Sequence, residues 1–101
     1  MGVGMYAHVV QDIYEMLSSS FEKGEAIELA AILWSIDSRH CLIPEISEIN
    51  SALMKLEGFE VIREGNSPLI VKAERGKTDK VTKGDFDLAQ KRGNVVLAGN
   101  P

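Results

Sequence analysis

The side chains with which this chain of 101 residues can do chemistry are few: one cysteine, two histidines and fifteen carboxylates. His40 and Cys41 are neighbours, and adjacent side chains on a helix diverge by about 100°, so they neither share a metal ion nor form a nucleophile–base pair without distortion. Cys41 reads as a small hydrophobe in a connector. His8 stands one residue before Val9 as a surface or interface histidine; a zinc site needs two or three more ligands, and none is spaced for it. Glu45 and Glu48 share a helix face and can hold a cation weakly, but they read first as a solvated acidic face. Single glycines in Glu57-Gly58-Phe59 and Arg63-Glu64-Gly65-Asn66 are far from a phosphate-cradling loop. Trp34 reads as core, its indole N–H turned to a carbonyl. Without paired carboxylates in an acid/base arrangement, a serine elbow or a cofactor fingerprint, the sequence predicts no enzyme, no cofactor, no metal and no small-molecule substrate.

Composition sets the frame for these residues. At 45% hydrophobic and 26% charged, the chain reads as one soluble globular domain. The longest unbroken apolar run, Leu29 to Trp34, is six residues, whereas a membrane span takes roughly 18 to 20. One cysteine excludes an internal disulfide framework, no basic region followed by an apolar segment reads as a secretion signal, and Tyr6 stands where myristoylation favours Ser or Thr. The expectation is a cytoplasmic protein away from membranes. Net charge is −4 and unevenly placed: residues 1–71 carry four cations against eleven carboxylates, residues 72–101 seven against four. A basic C-terminal segment attracts a polyanion locally, while the field of the whole molecule repels it.

The elements that must position these groups follow from apolar spacing. Met5/Tyr6, Val9/Val10, Ile13 and Met16/Leu17 step by three and four, predicting a helix from about Met5 to Leu17 that Ser18-Ser19-Ser20 interrupts. Residues 1–4 read as a flexible leader. After a turn at Lys23-Gly24, residues 27–36 read as a helix apolar around most of its circumference and therefore central, with 38–43 a connector. Pro44 opens a third helix, Pro44 to Leu56, whose seam Ile46, Ile49, Leu53 and Leu56 should pack on Ile32, Leu33 and Ile36. Gly58 ends it. Phe59 to Arg63 and Leu69 to Ala73 are short β-rich runs around a hairpin tip at 64–68. Thr82 caps a last helix, Lys83 to Arg92, closed by Gly93. Residues 5–93 form a single domain, and 94–101 an apolar tail that either docks or is disordered.

Three helices followed by a two-stranded wing resemble the winged-helix superfamily, a helix-turn-helix relative. The residues carrying the likeness are the 29–37 helix, Ile43-Pro44, and the run from Glu48 to Ile62, in which a leucine-rich helix meets Gly58 and then an apolar strand. The fold class so implied is α+β: three helices, a β-hairpin wing and a C-terminal helix.

The resemblance implies a DNA-binding transcription regulator, with helix 44–56 in the major groove and the 59–73 wing on the backbone. Its nucleic-acid contacts would be Ser47, Ser51, Lys55, Arg63, Lys80 and Lys83. Charge opposes this: over residues 44–57, Glu45, Glu48 and Glu57 outnumber Lys55, and specific binding rests on phosphate neutralisation by several cations. The same fold also serves for dimerisation and as an adaptor. Met5, Tyr6, Val9, Val10, Ile13, Tyr14, Met16 and Leu17 form a stripe broad enough for a homodimer or partner face, and equally suited to closing the core. The sequence thus points first to a non-enzymatic module for protein association or dimerisation, with DNA-binding transcription regulation as the alternative.

Overall fold

Apolar spacing, more than serine content, sets the length of the first helix. In the computed structural model, which describes residues 2–65, 67–72 and 78–93 and only the backbone of 2–6, helix α1 spans Gly2–Lys23. It begins ahead of the expected start at Met5 and runs through Ser18–Ser20, where a break was predicted. Val9, Ile13, Leu17 and Phe21 recur every fourth residue and are all buried, so continuing the helix one turn past the serines places Phe21 in the core. That burial outweighs a propensity cost of a few tenths of a kcal/mol per serine. Gly24, at φ 75°, then ends the helix: its N–H donates to the Phe21 carbonyl at 3.0 Å and the Glu25 N–H to Ser20 at 2.8 Å.

Residues 27 and 28, expected to open a helix, form a two-residue strand, β1 (Ile27–Glu28), and α2 follows as Leu29–His40. The predicted connector from Ser38 is therefore helical as far as His40. Cys41 stops the helix in a left-handed conformation, φ 55°, its N–H donating to the Asp37 carbonyl at 2.8 Å. As expected, α2 is central, touching α1, β3 and α4, with Leu29, Ala30, Ile32, Leu33 and Ile36 buried. Trp34 departs from expectation. It is 56% exposed, because it is swung about 100° from Leu33, off the arc that Leu29, Ile32, Leu33 and Ile36 already fill.

Helix α3 is Ile46–Met54, shorter than the Pro44 to Leu56 span predicted, since buried Pro44 precedes the cap at Glu45 and the chain leaves the helix at Lys55. Its buried Ile49, Ala52 and Leu53 share one core cluster with Ile32, Leu33 and Ile36, but the helix lies chiefly on α1 rather than α2. Gly58, at φ 73°, turns the chain into β2 (Phe59–Glu64), which pairs with β3 (Ser67–Lys72) in register from Phe59↔Lys72 to Glu64↔Ser67. Pairing thus runs up to Glu64 and Ser67, inside the tip expected at 64–68, and Gly65 takes φ 60°, as a tight hairpin turn requires. β1 pairs with Leu69 and Ile70 on the other side of β3, giving an antiparallel sheet in the order β1-β3-β2. It stops short of Pro68, so the sheet asks no hydrogen bond of that residue there.

The segment after the hairpin is pinned before it becomes helical. Thr78 bridges to Phe59, and the Asn50 side chain holds both backbone groups of Val81, accepting from its N–H at 2.9 Å and donating to its carbonyl at 3.0 Å. Thr82 caps the first turn of α4 (Lys83–Gly93), as the sequence predicts, and Asp85 returns the bond by accepting from the Thr82 N–H. Among the described residues the fold is α+β: four helices with a small three-stranded antiparallel sheet. No described helix is long and apolar enough to cross a membrane, and residues 94–101, the expected tail, lie outside the described residues.

Candidate functional site

The expected partner stripe on α1 is largely spoken for inside the chain. Val9, Ile13 and Leu17 are wholly buried in the core, and Val10, Tyr14 and Met16 pack against it while half-buried. A fully buried side chain offers nothing to a partner, so among the described side chains the dimer face read from this stripe shrinks to the exposed parts of Val10, Tyr14 and Met16. The side chains of Met5 and Tyr6 lie outside the described residues.

The outer surface of α3 also differs from its reading as an acidic face. Glu48 is only 7% exposed, because its Oε1 accepts from the Glu45 N–H at 2.7 Å and caps the helix start. Its Oε2 is buried without a partner. A carboxyl turned inward in this way leaves the outer stripe to Ser47, Ser51 and Lys55, all exposed and spaced by four, with Glu45 exposed at the N-terminal end. Lys55 lies over the Tyr14 ring, 5.6 Å from its centroid, a cation–π contact joining the end of α3 to α1.

The remaining expected cations are divided between two environments. Arg63 is committed: its Nε and Nη2 each donate to Asp85 at 2.8 Å, and Nη1 reaches the Val61 carbonyl at 3.4 Å. Burial alone pushes the Asp85 carboxyl up, but hydrogen bonds from Arg63 and from Thr82 outweigh it and hold the group below its ordinary value. Arg63 is raised in turn, chiefly by its bonds to Asp85. Lys83 is exposed beside Asp87 at 3.6 Å, a surface pair of little energetic weight. Lys80 stands next to Val81, which Asn50 clamps to α3, so a cation from the basic C-terminal segment does share a face with α3.

That clamp creates a groove. Met54, Leu56 and Phe59 on one side and Thr78, Asp79 and Lys80 on the other line a space of about 320 Å³. Phe59 is buried and half-buried Leu56 packs on the core, whereas Met54, at the end of α3, is 73% exposed. An apolar concavity with one exposed thioether wall and two charges on the rim suits an inserted apolar side chain, and methionine adapts to its shape. Spacing alone could not find this site, since it depends on where residues 78–80 return to α3.

The histidines and the cysteine do not converge. The His40 ring nitrogen Nε2 lies 2.7 Å from Asp12 Oδ2 on α1, with Arg39 3.8 Å from the same oxygen, while His8 and Cys41 are exposed. The His40–Asp12 link ties α1 to α2 across 28 positions, a pairing no local motif announces. A third ionic group joins the two ends of the fold: Glu28 Oε2 accepts from the Ser67 hydroxyl and from Arg92 Nε, the latter at 2.8 Å. The Ser67 bond first, then Arg92, holds Glu28 below the usual carboxylate range.

Comparison with protein families, with curated proteins and with solved structures finds no match to this chain.

Proposed function

We propose that the chain is a non-enzymatic, winged-helix-like module that works by protein association, with the Met54 groove as its point of contact. Three helices leading into a β-hairpin, with α3 handing over to β2 at Gly58, support the winged-helix reading. The observation carrying the functional reading is the 73% exposure of Met54 over a mostly apolar groove. Large apolar side chains left in water beside a concavity are characteristic of surfaces that receive a partner's side chain. Exposed Trp34 on α2 adds a second residue of the type that anchors interfaces.

The test replaces Met54 with a photo-crosslinking benzoylphenylalanine in the full chain and irradiates cells expressing it. A discrete protein adduct is expected, at twice the 11.1 kDa chain mass if the partner is a second copy. Adducts to nucleic acid alone, or none, contradict the reading.

DNA binding is retained as a second reading because Glu48 is withdrawn from the α3 surface and Lys80 stands beside that helix. Its signature is a duplex affinity that falls steeply with salt and drops further on charge reversal at Lys55 and Lys80. With Arg63 bound to Asp85, reversing Arg63 should change stability more than affinity.

A further inference from the structure

A second surface, on the hairpin, is used neither by the core nor by the groove. The strand pleat turns Phe59, Val61 and Ile70 inward and sends Ile62, Leu69 and Val71 to the opposite face. Ile62 and Leu69 are direct cross-strand partners; all three side chains are half-buried and stand outside the core cluster. This apolar strip ends in a hollow of about 360 Å³ lined by Glu28, Glu64, Gly65, Ser67, Leu69 and Arg92. Glu28 and Arg92 cancel each other through their 2.8 Å contact. That leaves Glu64, exposed and without an ion pair among the described residues, as the uncompensated charge of the hollow.

The charge selects the occupant. A second copy docked through this same face brings the same acidic end, so like charge opposes face-to-face pairing, and nucleic acid is repelled on the same ground by a net charge of −4. We propose that this face docks a basic amphipathic segment of a partner protein. Apolar side chains of that segment lie on Ile62, Leu69 and Val71, and one lysine or arginine enters the hollow, its aliphatic stem on Leu69 and its charge at Glu64. The site is separate from the Met54 groove and stands or falls independently of it.

The test is a titration of the ¹⁵N-labelled full chain with the synthetic peptide Lys-Leu-Lys-Val-Lys-Leu-Lys, beside its counterpart carrying glutamate for lysine and a duplex oligonucleotide. The basic peptide should shift the amides of Ile62, Glu64, Leu69 and Val71, and Glu64→Lys should weaken it by about tenfold or more. Glu64→Gln should weaken it less, and Met54→Ser not at all, which separates failure here from failure of the groove. Glu64 is exposed, so neither variant disturbs the core, and an unchanged spectrum elsewhere confirms that. The proposal is overturned if the basic peptide does not bind, if its shifts centre on other residues, if the acidic peptide or the oligonucleotide binds this face equally well, or if Glu64→Lys leaves affinity unchanged.

Discussion

Cys41 occupies a position that glycine usually fills. Its φ of 55° is left-handed, where a Cβ crowds the following carbonyl and costs roughly 1–2 kcal/mol, partly offset because glycine loses more freedom on folding. Cys41→Gly should therefore stabilise the fold by about 1 kcal/mol or somewhat less, read as a rise in the urea midpoint at unchanged slope; a fall would mean that the thiol makes a contact worth more than the strain. Glu48 is the complementary case of a residue whose type misleads. A glutamate at i+3 from the cap counts as a surface charge by composition, yet the geometry that makes it a cap also buries it. The sequence holds the signal, Glu45 three residues before Glu48 at the start of an apolar run, but reading it as a cap requires placing the helix start after Pro44 rather than at it. Trp34 misleads in the other direction, since a periodicity broad enough to make a helix central does not say which apolar position is left outside.

Elements whose boundaries are chemical are legible in the sequence, and those whose boundaries depend on distant partners are not. α3, the hairpin and α4 announce themselves through Pro44, Gly58 and the Thr82–Asp85 pair, which act within a few residues. β1 has no such signature: two residues show no period, and only pairing with Leu69 and Ile70, some forty positions away, makes Ile27 and Glu28 a strand. The end of α1 is likewise decided by the burial of Phe21 in the common core, not by Ser18–Ser20. The Met54 groove is hidden for the same reason, since it forms where Asn50 holds Val81 against α3 and Thr78 bridges to Phe59. At this scale the test concerns the seam that the periodicity does reveal. Leu53 is wholly buried, so Leu53→Ala should cost about 2–5 kcal/mol in chemical denaturation. A loss within experimental error would show that α3 is not held by its apolar face.

Across the whole molecule, α4 closes the fold and is fastened at both ends by ion pairs to different strands, Asp85 to Arg63 on β2 and Arg92 to Glu28 on β1. Both carboxyls are held below their ordinary values, so each pair contributes stability that is fully present above the usual carboxylate range and is lost as pH falls through the depressed folded value. Arg63→Met leaves the buried Asp85 carboxylate to Thr82 alone and should cost about 1–2 kcal/mol at pH 7. Arg92→Met, at a more exposed pair, should cost about 0.5–1 kcal/mol. Asp85 and Arg92 are seven residues apart, roughly 10 Å along a helix, and share no partner. The effects of Arg63→Met and Arg92→Met should therefore add to within about 0.5 kcal/mol if α4 stays docked through Ala89 and Phe86 when either fastening is cut. In urea unfolding at pH 7, a double variant much less stable than the sum would mean instead that α4 is released as a unit once both ends are free. Repeated well below pH 4, where the carboxyls become protonated, the same comparison should bring wild type and variants together. Differences that persist in acid would place the value of these arginines in the packing of their stems rather than in their charge.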